Sequence, residues 1–326
     1  MRIPFRRAAL ALIPVLFAGL PIAAYGQAYP TKPIRMLIGL SAGGPSDVMA
    51  RTVASALGER LGQPVVVENK PGAGTTIATD LVAKSTPDGY TLLFGTTGAL
   101  SVAPTLYKKL SFDPVKDFAP IGLVANLPLV LVVTNSLPVK NVGELIALAK
   151  AKPGELNYAS AGVGVTTHLA MELLKAESGV DIKHVPYKGT SAAWPDVVSG
   201  QVQMVMDGWS GADPYAKSGR ARIIAAAVDK RLAVAPDVPT IAESGFPGFN
   251  ASPWYGILAP AGTPKEVVAR LSRELTAVMT SPAIKERFTT LGMEPLLSTP
   301  EEFSTFIKSD ISKWARAVKQ SGATAD

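Results

Sequence analysis

Gly39-Leu-Ser-Ala-Gly43 sets a serine in the G-x-S-x-G spacing of a nucleophile elbow, between an apolar run of strand length, Ile34–Ile38, and a helix pattern. Acyl transfer at Ser41 needs a histidine base, an acid behind it and a second oxyanion donor. The chain has two histidines, His168 and His184, and neither has an acid partner in the expected chain order. With a leader ending at Ala28, only Tyr29–Leu40 precedes the serine, too little for the strands that come before such an elbow. The same residues suit a different chemistry. Gly43-Gly44 leave the backbone unobstructed, Pro45 has the φ of a first helical position, and Met49, Val53, Leu57 and Leu61 recur on one helical face. That order aims the unpaired N–H groups of a helix N-terminus at whatever lies over the turn, a place that attracts an anion. A plain β–α connection is the other reading of these residues alone.

The pattern recurs. Val65–Val67 runs into the glycine loop Glu68–Thr76, which opens a helix through Leu81, and Tyr90–Phe94 runs into Gly95-Thr96-Thr97-Gly98. Leu156–Ala159 leads to Ser160-Ala-Gly162-Val-Gly164-Val-Thr166-Thr167-His168 and a helix with Leu169, Leu173 and Leu174. Thr166 and Thr167 are placed to cap that helix or to offer hydroxyls to a ligand. His168 reads as a local hydrogen-bonder rather than a catalyst. None of the loops holds the Gly-Lys-Ser/Thr of a P-loop or a complete G-x-G-x-x-G. Farther on, the strand Gln201–Met206 closes on Asp207-Gly-Trp209. Asp207 is placed to accept a hydrogen bond from a ligand, and Trp209, expected in a loop, offers either an aromatic face or core packing.

The elements that must position these groups alternate strand and helix, as in an α/β fold, and 326 residues accommodate two such domains. The long apolar run Phe118–Val133, broken by Asn126 and Pro128, reads as a strand leaving a first domain for a second. Asn141-Val-Gly-Glu144 is a capping box. Further strands fall at Ala221–Val228 and at Trp254–Ala259, where the chain crosses back. The helices from Thr263, Ser281–Leu291 and Pro300–Gln320 are then expected to wrap the first domain. Residues 1–28 read as a secretory signal: arginines, an apolar run from Ala8 to Ala24 broken by Pro14, Gly19 and Pro21, then small residues before the cut. Three of the positive charges behind the net +6 (Arg2, Arg6, Arg7) lie there, and no basic stripe fits nucleic acid. The absence of cysteine excludes disulfides, thiol nucleophiles and cysteine-ligated zinc. An exported, soluble, monomeric chain without cofactor or metal is expected.

Short stretches along most of the chain resemble the Bug-type receptors of tripartite tricarboxylate transporters. They are Tyr29–Arg35 (Tyr-Pro-Thr-Lys-Pro-Ile-Arg), Ala42–Asp47 (Ala-Gly-Gly-Pro-Ser-Asp), Val67–Gly74, Thr86–Tyr90, His184–Gly189 (His-Val-Pro-Tyr-Lys-Gly), Trp254–Pro264 and Leu291-Gly-Met293. The resemblance implies a two-lobed periplasmic binding protein of type II-like fold, each lobe a mixed sheet flanked by helices. The lobes are expected at 29–125 with 254–326 and at 126–253, closing over an organic acid that is handed to membrane permease subunits or, as the alternative, presented to a signalling partner by a sensory binding protein. It implies a carboxylate held by backbone N–H groups, hydroxyls and water at Ser41, Ala42, Gly43, Gly44 and Asp47, at Thr96 and Thr97, and between Ser160 and Thr167, including Gly162 and Gly164. Asp207 occupies the family's usual aspartate after the cleft strand. Trp209 departs from the smaller or aliphatic residue common there and points to an aromatic acid, with an aliphatic di- or tricarboxylate as the alternative.

Overall fold

In the computed structural model, which describes Met1 and residues 29–321, the chain first lays down β1 (Ile34–Ile38), α1 (Pro45–Leu61), β2 (Val65–Asn69), α2 (Thr76–Ala83), β3 (Thr91–Thr96), α3 (Ala103–Leu106) and β4 (Phe118–Asn126). It continues with β5 (Leu129–Thr134), α4 (Val142–Ala151), β6 (Asn157–Ser160), α5 (Thr166–Ser178), β7 (Lys183–Pro186), α6 (Thr190–Ser199), β8 (Met204–Gly208), α7 (Trp209–Lys217) and β9 (Ala221–Ala226). It ends with β10 (Trp254–Pro260), α8 (Lys265–Thr280), α9 (Pro282–Thr290), β11 (Glu294–Pro295) and α10 (Pro300–Ser321). The leader reading falls outside the described residues.

The strands form two mixed sheets, one ordered β11-β4-β10-β3-β1-β2 and the other β7-β6-β8-β5-β9. In the first, β1 runs parallel to β2 and β3 while β10 is antiparallel to β3 and β4. In the second, β6 is parallel to β7 and β8, and β5 is antiparallel to β8 and β9. Each sheet is covered on both faces, so its central strands are apolar throughout rather than alternating. Along β5, Leu129, Leu131 and Val133 enter one core, and Val130 and Val132 enter the other.

Local chemistry sets the ends of the elements. Pro45 opens α1 after an extended Gly44, and Gly62 closes it in the left-handed region at φ 72°. Asn141 accepts the Glu144 N–H at 2.8 Å, and Glu144 reaches back to the Lys140 N–H, one residue beyond the usual partner of a capping box. Helix α8 is amphipathic, with Val267, Leu271, Leu275 and Val278 buried.

Three expectations are corrected. The run Phe118–Val133 is two strands in different sheets, because Leu127-Pro128 interrupts it and the Leu127 N–H turns to the Pro253 carbonyl. Trp209 is not in a loop: it is the first residue of α7, behind an extended Gly208. Helix α10 does more than wrap the first sheet. Trp314 and Val318 share a cluster with Val102 and Leu106 beside the first sheet and with Leu169 of α5 beside the second.

Candidate functional site

The cleft between the sheets is a narrow cavity of about 40 Å³. The lobes therefore stand close together, and three helices begin at that narrow space. The Val48 N–H is the first in α1 to find a helical acceptor, the Gly44 carbonyl; in α5 the first is His168 to Val165, and in α6 Ala192 to Gly189. The N–H groups of Ser46, Asp47, Thr166, Thr167, Thr190 and Ser191 take no acceptor among the described residues, and all six of these residues line the cleft. No lysine or arginine among the described residues lines it. What the site offers an anion is the positive ends of aligned peptide dipoles, set beside the carboxylates of Asp47 and Asp207.

Hydroxyls complete the wall. Ser46 Oγ and the Tyr255 hydroxyl lie 2.7 Å apart, and burial pushes the Tyr255 hydroxyl up to about 12, so it stays protonated. Thr75 Oγ1 sits 3.0 Å from Thr96 Oγ1. Thr75 has φ 76°, a left-handed conformation that costs a β-branched residue ~1–3 kcal/mol. Its place is kept by Gly39, where a Cβ would lie 2.5 Å from that of Thr75. The first glycine of the G-x-S-x-G pattern thus makes room for a neighbouring loop. Ser41 Oγ bonds the Lys188 carbonyl across the cleft, not an imidazole.

Of the residues expected at the site, Ser41, Gly44, Asp47, Thr96, Thr166, Thr167 and Asp207 line the cleft. The others stand behind it. The Ala42 carbonyl accepts from Ser191 Oγ at 3.2 Å, and the Gly43 N–H donates to Asp47 at 3.0 Å. Asp47 also holds Arg51 and Asn69; burial raises its carboxyl, but those hydrogen bonds and the Arg51 charge bring it below the usual range. Thr97 Oγ1 accepts the Trp254 N–H at 2.8 Å. Ser160 Oγ bonds His184 Nε2 at 2.6 Å, Gly162 lies against the Tyr187 carbonyl, and Gly164 against Leu106. Trp209 is outside the lining and rests on Gly292. The sequence reading missed Gly189-Thr190-Ser191 at the start of α6, although it repeats the strand, glycine, hydroxyl order. It also missed Thr75 and Tyr255, which only the fold brings there.

With this geometry established, comparison with known proteins is decisive. The model of the tripartite tricarboxylate transporter family receptor, TctC, matches residues 49–323. The chain belongs to that family. This TctC-family chain is similar to protein BugT of Bordetella pertussis, 38% identical over 317 residues, which is 96% of this chain and 97% of that one. It also resembles the solved periplasmic binding protein BugD (TM-score 0.88, 38% identity, 91% of this chain and 100% of that one). A third similar protein is one from R. palustris solved with adipate (TM-score 0.88, 34% identity, 91% and 99%). The fold is that of two-lobed periplasmic binding proteins.

In this TctC-family site Asp207 is buried with both oxygens engaged: Oδ1 accepts Thr190 Oγ1 at 2.7 Å and the Gly208 N–H at 2.9 Å, and Oδ2 accepts Trp194 Nε1 at 2.9 Å. Through Thr190 it anchors the first residue of α6. Burial pushes its carboxyl up to about 6 against the pull of those donors. An anion in the cleft meets a negative Asp207 above that pH and a neutral one below it. Affinity for a carboxylate is therefore expected to rise as pH falls from 7.5 to 5.5, with proton uptake on binding, read by calorimetry in buffers of different ionisation enthalpy. Proton release, or affinity flat across that range, contradicts it. For folding, the folded state holds the extra proton between about 4 and 6, so this group's contribution to stability falls as pH rises through that range.

Proposed function

We propose that the chain is an extracytoplasmic receptor that captures a small organic carboxylate between its lobes and delivers it to membrane permease subunits, without catalysis. The observation that carries this reading is the convergence of six N–H groups from three helix N-termini, without an acceptor among the described residues, on a narrow cleft into which none of those residues sends a cationic side chain. Each helix end contributes ~0.3–1 kcal/mol toward an anion, up to ~2 when partly buried. With charge-assisted hydrogen bonds of ~1.5–3 kcal/mol each, micromolar affinity is within reach. The lobes we assign are 29–125 with 254–326 and 126–253, hinged where the chain passes between the sheets, and residues 1–28 are the export leader.

The ligand we favour is an aliphatic dicarboxylate. The case for an aromatic acid lay with Trp209, which is not in the cleft lining, and Tyr255, the aromatic residue that is, turns its hydroxyl to Ser46. Similarity to a protein solved with adipate points the same way.

A thermal-shift panel followed by calorimetry tests this on periplasmic material, whose intact mass should begin at Tyr29. Short dicarboxylates should raise the melting temperature most, monoamines and sugars not at all. A panel led by aromatic acids overturns the aliphatic choice, and one led by uncharged solutes overturns the receptor reading for carboxylates. Ester turnover by the parent that disappears in Ser41→Ala overturns the non-catalytic reading.

A further inference from the structure

We propose that the first turn of α7 is the seat on which the two lobes lock, and that Trp209 sets ligand affinity without touching the ligand; this rests on the receptor reading above. Trp209 is half-buried and packs on the core beside β5 and β8 in the second lobe. Its other side meets the first lobe at Gly292, where a Cβ would lie 2.6 Å from Trp209 Cβ and 2.9 Å from Cγ. Gly292 ends the turn after α9 at φ 67°, so the flat surface under the indole is backbone held in a conformation glycine favours. Two residues along α7, Gly211 is held between Asp207 of its own lobe and Pro45 of the other: a Cβ there would overlap Asp207 Oδ2 and lie 2.8 Å from Pro45 Cγ. Pro45 opens α1, whose free Ser46 and Asp47 N–H groups face the cleft.

The seat thus has two points of rest, one of them the helix end that receives the anion. Contact at Gly292 leaves water only when the lobes meet, so it favours the closed form whatever acid occupies the cleft. A ligand that binds the closed form gains apparent affinity in proportion to how readily that form is reached. An indole in the cleft wall would instead discriminate among ligands by shape.

The test measures Kd for several acids that the parent binds, together with release rates, melting temperature and small-angle scattering of the unliganded protein. Trp209→Ala should weaken every acid by about the same factor, roughly ten-fold or ~1.4 kcal/mol, mostly through faster release. Gly292→Ala, which leaves the interior of the second lobe intact, should move affinity in the same direction. The unliganded Trp209→Ala protein should scatter as a more extended particle. Loss confined to one acid makes Trp209 a ligand wall and overturns the proposal. Unchanged Kd values in both variants also overturn it, as does a lower melting temperature with affinity kept. If the parent binds no acid, the receptor reading falls on its own. Scattering then decides the seat, an unchanged radius in Trp209→Ala overturning it.

Discussion

Gly74→Ala is expected to weaken ligand binding about 100-fold, roughly 2.7 kcal/mol, while the protein still folds. Gly74 lies in the loop before α2 at φ 59°, and a Cβ there would overlap the Val163 carbonyl oxygen across the cleft and lie 2.9 Å from the Tyr107 hydroxyl. The tyrosine tip could swing away, but a backbone carbonyl in the turn leading to α5 cannot, so the lobes must part. Two further approaches rest on the same closure: Gly98 against Val165, and Gly189 against Ser41. The left-handed backbone itself costs alanine ~1–2 kcal/mol, and that loss shows in melting temperature rather than in affinity. Gly62→Ala separates the two costs, since Gly62 has φ 72° and open space around its missing Cβ. Calorimetric titration of both variants reads the difference. Equal affinity in the two would mean that binding does not require the lobes to approach as closely as this structure has them.

The second large effect is acid lability from an imidazole pair, His168 buried and His184 half-buried. His168 and His184 stack at 4.2 Å between ring centroids, Tyr158 stacks on His184 at 4.8 Å, and the Gly164 N–H donates to His168 Nδ1 at 3.2 Å. Burial outweighs the opposing Glu172 charge and, with Lys175 nearby, holds His168 down to about 4; burial, His168 and Lys175 hold His184 down to about 3. The unfolded chain, with imidazoles near 6.5, takes up protons first as pH falls. Stability from these groups is thus complete above about 6.5 and is lost progressively toward 4, by roughly 3 kcal/mol for His168 alone. Asp207 works in the opposite sense between about 6 and 4, so the parent's curve is shallower than the histidines alone would give. Urea unfolding at pH 7 and pH 4.5 checks this against His168→Phe, which keeps a flat ring beside Tyr158. The variant should lose markedly less stability between the two pH values. Equal losses would remove the pair as the cause.

Some of this was legible in the chain because it is local. A glycine pair, a proline and apolar residues at helical spacing fix the turn before α1 whatever surrounds it, and Asn141 with Glu144 fixes the start of α4. Strand, small-residue loop and helix in repeated succession gave the α/β class, and the order of short motifs gave the family. Residue types alone also showed that the cleft loops lack cations at their centres, so the dipole character of the site follows from sequence.

What lies opposite each loop was decided only by tertiary structure. Thr97 and Thr96 are neighbours with the same side chain, yet Thr96, the last residue of β3, reaches the cleft while Thr97, where the backbone turns helical, is consumed by the Trp254 backbone. Asp207 reads as a ligand acceptor, but that Thr190 and Trp194 of α6 also donate to its oxygens is visible only in the fold. Trp209 reads as an aromatic wall until Gly292, 83 positions away in sequence, proves to be the surface beneath it. A side chain's chemistry is fixed by its covalent structure, but its task depends on which partners the fold leaves within reach.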